Sequence, residues 1–116
     1  MTDATTTVAD LRLSVQRFID ERDWRQFHNP KNLSMSIAIE AAELMEHFQW
    51  LDGPASRDVT ASSEDLRRIK EELADILCYA ISFANALDID LSTALRDKLV
   101  KNAEKYPAEK FRGRFR

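Results

Sequence analysis

Two pairs of acidic residues have the spacing and the surroundings of a metal site. Glu40 and Glu43 lie three positions apart, as do Glu72 and Asp75, so each pair shares one face of a helix. Apolar residues surround both pairs, and carboxylates rarely occupy such surroundings without a partner. Clustered carboxylates repel one another, and oxygen-only ligands suit Mg²⁺ or Mn²⁺. The pattern predicts a divalent-cation site.

The segment between the pairs brings them to one level if it reverses the chain. With a second helix ending near Leu51 and a third beginning near Glu64, Glu40 lies about 11 residues before the turn and Glu72 about 8 after it. At the helical rise these separations are about 16 Å and 12 Å. An antiparallel hairpin therefore predicts that the four carboxylates converge.

One simpler interpretation and one other metal site compete with this prediction, and the position of His47 is open. The acids can be ordinary solvated helix positions, since 32% of the chain is charged. A carboxylate di-iron bundle needs Glu-x-x-His motifs, and neither pair ends in histidine. His47 follows Glu43 by four positions and either reaches the site or lies on the helix surface.

Apolar periodicity predicts the helices that carry these residues. The first helix covers about residues 8 to 25 and the second about residues 30 to 51, with Asn29 as N-cap and Pro30 at the first position. Residues 52 to 63 are rich in helix breakers, so Asp52-Gly53-Pro54 is expected to stop the second helix and open a loop.

The second half of the chain continues the helical pattern. Ser62 or Ser63 caps a third helix whose wide apolar stripe continues to Leu87. Asp90 caps a fourth, which is expected to turn a row of leucines at positions 91, 95 and 99 inward and to end before Pro107. We therefore expect an all-α domain over residues 1–107 and a basic, non-helical tail over residues 108–116.

Composition bounds the class of protein. Two glycines and three prolines in 116 residues favour helices, and a net charge of −3 argues against a nucleic-acid partner. No apolar run reaches the length of a membrane span and the N-terminus does not resemble a secretory signal, so a cytoplasmic location is expected. The single Cys78 is expected to be a small buried residue.

The acidic motif resembles a known family pattern. Glu40-Ala-Ala-Glu43, 28 further residues and the pair Glu72 and Asp75 are similar to the E-x-x-E…E-x-x-D motif of the all-α nucleotide pyrophosphatases, which include the MazG proteins. Three further motifs resemble the dCTP pyrophosphatase branch: the segment from Glu21-Arg-Asp-Trp24 through Phe27-His28 to Asn32-Leu33, then Phe48-Gln-Trp50, then Lys98-x-x-x-Asn102-x-x-x-Tyr106-Pro107.

The resemblance implies a four-helix bundle-like MazG fold, active as a dimer or a dimer of dimers with sites where subunits meet. It implies Mg²⁺-dependent hydrolysis of a dNTP, either dCTP or a modified one, to the monophosphate and pyrophosphate. Water would attack the α-phosphorus and a metal-ligand glutamate, preferably Glu43, otherwise Glu40, would accept its proton. The implied substrate-binding residues are Trp24 and Trp50 for the base, Tyr79 for the sugar or for a hydrogen bond to a metal ligand, Asn102 for the deoxyribose, and Lys98 and Lys31 for phosphate.

Two positions depart from the family pattern. Val15 stands where dCTP pyrophosphatases tend to have a histidine at the base pocket, which leaves the choice of base open. Ile39 stands where some relatives have an additional glutamate. The alternative to an enzyme is a non-catalytic helical module in which the apolar stripe of the third helix serves only oligomerisation or partner binding.

Overall fold

The computed structural model describes residues 1–115 and consists of helices joined by short turns. The helices are α1 (Val8–Glu21), α2 (Pro30–Glu46), α3 (Gly53–Arg57), α4 (Ser63–Ala86), α5 (Leu91–Lys105) and α6 (Ala108–Phe111), with 3-10 turns at Arg25–Phe27 and Asp58–Ala61. Residues 1–115 contain no strand, which confirms the all-α prediction. No helix of this part of the chain has the length and apolar character needed to cross a membrane.

Side-chain caps begin the long helices where the sequence predicts. Asn29 accepts a hydrogen bond from the backbone N–H of Asn32 at 2.9 Å, with Pro30 at the first helical position. Ser62 caps α4 and Asp90 caps α5 in the same way. A polar cap satisfies a backbone N–H that has no carbonyl partner in the first turn, which fixes where each helix begins.

Four predictions about the limits of the helices are wrong for local reasons. Helix α1 ends at Glu21 rather than near residue 25, because the Asp23 N–H donates to the Asp20 carbonyl and the Trp24 N–H donates to the Ile19 carbonyl. Helix α2 ends at Glu46 instead of Leu51, because the chain tightens at His47, whose backbone N–H donates to the Leu44 carbonyl. Asp52 is an N-cap rather than a stop, since it accepts from the Ala55 N–H and begins α3. The basic tail starts with the single-turn helix α6, and its last residue, position 116, lies outside the described residues.

Helices α2 and α4 form the central antiparallel hairpin, and α1 packs against α4. The apolar residues that these helices bury completely are few: Ile19, Leu33, Ile81 and Ala84. Leu33 is the best covered of the large side chains, at 1% exposure. This small core holds together the two helices that carry the acidic pairs.

Much of the remaining apolar surface is uncovered within one chain. Leu95 and Leu99 on α5 are 63% and 57% exposed, so the prediction that they face inward is wrong for the isolated chain. On α4, Leu73 and Leu77 are also half-exposed. The radius of gyration is 17.1 Å, against about 13 Å for a compact domain of this length. One chain therefore buries a small core and leaves much of its other apolar surface exposed.

Arg12 fastens α1 to the end of α4. Its guanidinium donates to Asn85 Oδ1 at 2.9 Å and to the carbonyls of Ile89 and Ala84, while Asn85 Nδ2 donates back to the Arg12 carbonyl. A charged donor shared by several acceptors makes a strong tertiary contact. The arrangement fixes α1 beside α4 at the end remote from the acidic pairs.

Replacing Arg12 with alanine is expected to lower the free energy of unfolding by about 2–3 kcal/mol, because it leaves partly buried acceptors without a donor. Urea unfolding followed by circular dichroism measures the change. Arg17→Ala is the matched control, since Arg17 is exposed on the same helix. Equal stability of the two variants would contradict this role of Arg12.

Candidate active site

The α2–α4 hairpin brings three of the predicted acidic residues together. Glu40, Glu43 and Glu72 each present a carboxylate oxygen, and these three oxygens lie within 4.8 Å of one another. Glu40 and Glu72 are partly buried, whereas Glu43 is exposed. The convergence expected from the length of the hairpin is therefore present for these three residues.

Asp75 lies at the edge of this cluster. It does not belong to the group of oxygens within 4.8 Å, but its charge is near enough to raise the pKa of Glu40. It also lines a neighbouring cavity together with Tyr79, one turn further along α4. Asp75 thus connects the acidic cluster to the cavity.

The cluster lacks the positive partners that Glu64 and Glu71 of α4 have. Arg67 pairs with Glu64 and Glu71, both at 2.7 Å, on the exposed side of the helix. Within residues 1–115, no lysine or arginine nitrogen lies within 4 Å of the carboxylates of Glu40, Glu43, Glu72 or Asp75. Only His47 comes near, with Nε2 at 3.9 Å from Glu72 Oε1.

Two carboxylate oxygens of the cluster are buried without a hydrogen-bond partner among the described residues: Glu40 Oε2 and Glu72 Oε2. A buried polar atom is normally hydrogen-bonded, because losing water without compensation is costly. An oxygen-only set of converging carboxylates is the donor set of a hard divalent cation. The residues present therefore fit Mg²⁺ or Mn²⁺.

Burial raises the pKa of Glu40 to about 7, with further contributions from a hydrogen bond shared with Glu43 and from the charges of Glu43, Asp75 and Glu72. Two neighbouring carboxylates can share such a hydrogen bond only when one of them is protonated. Without a cation, Glu40 is the residue on which the cluster keeps a proton.

An aromatic cavity of about 370 Å³ adjoins the cluster. Its wall combines aromatic rings, small polar side chains and apolar residues: Ser14, Val15, Phe18, Ile19, Trp24, His28, Asp75, Cys78, Tyr79 and Ser82. The rings of Trp24 and His28 are nearly parallel, with centroids 6.3 Å apart, and His28 and Tyr79 follow at 6.4 Å. Flat apolar walls with a few polar groups suit a planar ligand.

The turn after α1 places Trp24 in this wall. Asp23 adopts a positive φ of 53°, the Asp23 N–H donates to the Asp20 carbonyl, and the Trp24 N–H donates to the Ile19 carbonyl. These two hydrogen bonds are those of a Schellman motif, here with aspartate at the position usually taken by glycine. The Trp24 carbonyl then contacts His28 Nδ1 at 2.8 Å.

The predicted substrate residues divide into two groups. Trp24 and Tyr79 line the aromatic cavity, whereas Trp50, Lys98, Asn102 and Lys31 are not part of its wall. Trp50 is 87% exposed beyond the end of α2, and Lys98 and Lys31 are exposed on α5 and α2. Asn102 is half-buried near the end of α5, and its carbonyl accepts from the Tyr106 N–H.

Sequence reasoning did not assign Phe18 or His28 to the cavity, and it misplaced Cys78. Phe18 is one of the regular apolar positions of α1, so periodicity alone assigns it to the core. His28 lies in the motif before Pro30, and the sequence gives no sign that its ring lies close to that of Tyr79 in the folded chain. Cys78 is exposed rather than buried, because its side of α4 faces the cavity.

The comparisons agree with this architecture. The profile of the MazG-like family matches residues 35–114, and the chain belongs to that family. A crystal structure of a pyrophosphatase from Archaeoglobus fulgidus superposes with a TM-score of 0.80 at 33% identity, covering 92% of this chain and 98% of that one. The prediction of a MazG-like all-α fold is confirmed.

Curated mammalian proteins give the same result. Rat dCTP pyrophosphatase 1 is 35% identical over 107 residues, which is 92% of this chain and 63% of the rat protein. Human dCTP pyrophosphatase 1 is 36% identical over 102 residues, or 88% of this chain and 60% of the human protein. The chain therefore spans less than two thirds of these relatives.

The raised pKa of Glu40 predicts how the metal-free protein responds to pH. Between the ordinary carboxyl value of 4.5 and about 7, the folded protein holds a proton on Glu40 that the unfolded chain releases. Folding is therefore favoured at the acidic end of this window, and the contribution is lost as pH rises through 7.

Melting temperatures measured with a chelator present, from pH 5 to pH 8, test this expectation against Glu40→Gln. Wild type should lose more stability than the variant across the window, because glutamine stays neutral throughout. Parallel pH profiles for the two proteins would show that Glu40 does not titrate in this way.

Proposed function

We propose that this chain is a nucleotide pyrophosphohydrolase that converts a dNTP to the monophosphate and pyrophosphate with Mg²⁺, or Mn²⁺, at the acidic cluster. The observation that carries the proposal is the convergence of Glu40, Glu43 and Glu72 without a lysine or arginine partner in residues 1–115, next to an aromatic cavity. Membership of the MazG-like family and the names of the relatives support the same activity.

The cation would be held by Glu40, Glu43 and Glu72, with Asp75 as the fourth acid. When bound, it would neutralise the triphosphate and stabilise the charge that develops on pyrophosphate. The unpaired oxygens of Glu40 and Glu72 suit this task, since they have given up water without gaining a donor.

The reaction requires a proton acceptor near the attacking water. We assign this role to Glu43, because it is the exposed member of the cluster and Glu40 retains a proton more readily. A bond forms between the water oxygen and the α-phosphorus while the bond from that phosphorus to the β-phosphate bridging oxygen breaks. The water proton passes to Glu43, and the bridging oxygen leaves with pyrophosphate.

The base would occupy the aromatic cavity. Trp24 and Tyr79 offer ring surfaces, and stacking of a base on an aromatic side chain is worth about 1–3 kcal/mol. Val15 contributes only apolar contact at this wall. The names of the relatives favour dCTP or a modified dNTP as the substrate, and the cavity would select its base more by shape and stacking than by a polar contact from position 15.

The remaining substrate residues lie outside the cavity of one chain, which fits a site completed by a second copy. Lys98 and Lys31 would bind phosphate, Asn102 the deoxyribose, and Trp50 the base in a homodimer or a dimer of dimers. The uncovered leucines of α4 and α5 and the large radius of gyration support such an assembly.

Incubation with a panel of dNTPs and Mg²⁺ is expected to release pyrophosphate and the monophosphate. Glu40→Gln and Asp75→Asn should each reduce kcat/KM at least about 100-fold, since several kcal/mol of charge stabilisation depend on the cation. Both variants should stay folded, because each removes repulsion.

Glu71→Gln is the matched control for these variants, because Glu71 lies beside Glu72 in sequence but pairs with Arg67 on the exposed side. It should keep nearly full activity. Release of orthophosphate alone would refute the proposed reaction. No turnover with either metal would also refute it and would favour a non-catalytic oligomerisation module.

Light scattering is expected to give a mass in solution of at least twice the 13.4 kDa of one chain. The physical reason is that the exposed leucine rows need an apolar partner. A monomer at micromolar concentration would contradict the assembly, while leaving the hydrolysis assay as a separate test.

A further inference from the structure

His47 is the one basic side chain in residues 1–115 that approaches the acidic cluster. Its Nε2 lies 3.9 Å from Glu72 Oε1, and both side chains are largely covered, at 28% and 23% exposure. The separation is longer than a hydrogen bond, so forming one between these two atoms requires a side chain to turn toward the other.

The end of α2 fixes the backbone at His47. His47 is the C-cap residue, its backbone N–H donates to the carbonyl of Leu44 at 3.2 Å, and the Phe48 N–H donates to Met45 at 3.0 Å. Position 47 also lies four residues after Glu43, on the same side of the helix. The imidazole is thus carried by the helix that provides two of the acids and faces the third.

The two oxygens of Glu72 have different surroundings. Oε1 is the atom near His47, whereas Oε2 is buried and has no hydrogen-bond partner among the described residues. One oxygen of Glu72 therefore lies near the histidine, and the other is buried with no partner among the described residues. Glu40 Oε2 is left in the same way.

The distances exclude His47 from the ligand group itself. Histidine nitrogens qualify as ligand atoms, yet the set whose members lie within 4.8 Å of one another contains only the three glutamates. His47 is therefore near Glu72 but outside the group of candidate ligands. Second-sphere partners of this kind orient metal-binding carboxylates, and their loss typically weakens metal binding about 10- to 100-fold.

We propose that His47 is a positioning residue that holds Glu72 Oε1 by an Nε2–H donor and so leaves Oε2 for the cation shared with Glu40 and Glu43. The inference rests on the proposed metal site, but it adds a residue outside the acidic motif. It concerns the affinity and placement of the cation and assigns His47 no proton-transfer role.

Two substitutions separate the donor from the bulk of the ring. His47→Phe keeps a ring of similar size without an N–H, and His47→Gln keeps an N–H donor. Calorimetric titration of Mn²⁺ into the metal-free full chain should give a Kd about 10-fold higher for the phenylalanine variant. The glutamine variant should stay within about threefold of wild type.

Met45→Ala is the control, since Met45 is exposed in the same last turn of α2 and bears no charge. It should bind Mn²⁺ like wild type, which separates the donor from the stability of the helix end. Thermal melts of the metal-free variants verify that each is folded.

Pyrophosphate release measured against Mg²⁺ concentration gives a second readout. His47→Phe should need about 10-fold more Mg²⁺ for half-maximal rate and should recover a near wild-type kcat at saturating metal. A kcat that stays low at saturating Mg²⁺ would overturn the positioning role, because it would place His47 in the chemical step.

The results distinguish this inference from the function on which it rests. Normal Mn²⁺ binding by wild type with an unchanged Kd in His47→Phe would overturn the role of His47 alone. Absence of Mn²⁺ binding by wild type would overturn both proposals.

Discussion

Repulsion among carboxylates is the constraint on which the rest of this structure depends. Helices α2 and α4 hold the oxygens of Glu40, Glu43 and Glu72 within 4.8 Å of one another. That arrangement is unfavourable in the protein alone, and the pKa of Glu40 rises to about 7 in response. The fold keeps the acids together by burying Leu33, Ile81 and Ala84 on the same two helices. Core packing thus offsets the repulsion among the carboxylates, which a bound cation would remove.

The acids of α4 differ in their surroundings, because some form ion pairs in solvent and others face the acidic cluster or the cavity. Glu64 and Glu71 on α4 each pair with Arg67 in solvent. Glu72, the next residue, turns toward α2 and approaches only His47. One turn later Asp75 borders the cavity in which Trp24 and Tyr79 lie. A single helix therefore presents a solvated salt-bridge network on one side and faces the acidic cluster and the aromatic cavity on the other.

Sequence reasoning located the acidic cluster because the spacing within each pair and the number of residues between the pairs can be read directly from the sequence. The caps Asn29, Ser62 and Asp90 were likewise predictable from side chains that satisfy their own helix. The cavity wall could not be predicted in the same way, because Phe18 and His28 come together only when α1 packs against α4.

The same limit explains the errors at the surface. The periodicity of Leu95 and Leu99 identifies an apolar face but not what covers it, and one chain leaves that face exposed. Asp52 was interpreted as a helix stop because Gly53 and Pro54 follow it, yet these residues are also compatible with a helix start. Position 47 was ambiguous for a related reason, since a spacing of four residues from Glu43 fits both a histidine on the helix surface and one that reaches the site.

The central claim is that the three converging glutamates bind a divalent cation. Crystals grown with Mn²⁺ and measured for anomalous scattering test it most directly, because the ion is located without reference to activity. We predict an anomalous peak bounded by the carboxylates of Glu40, Glu43 and Glu72, with Glu72 Oε2 and Glu40 Oε2 among its neighbours. Well-ordered carboxylates with no peak between them, or a peak only elsewhere on the chain, would contradict the account.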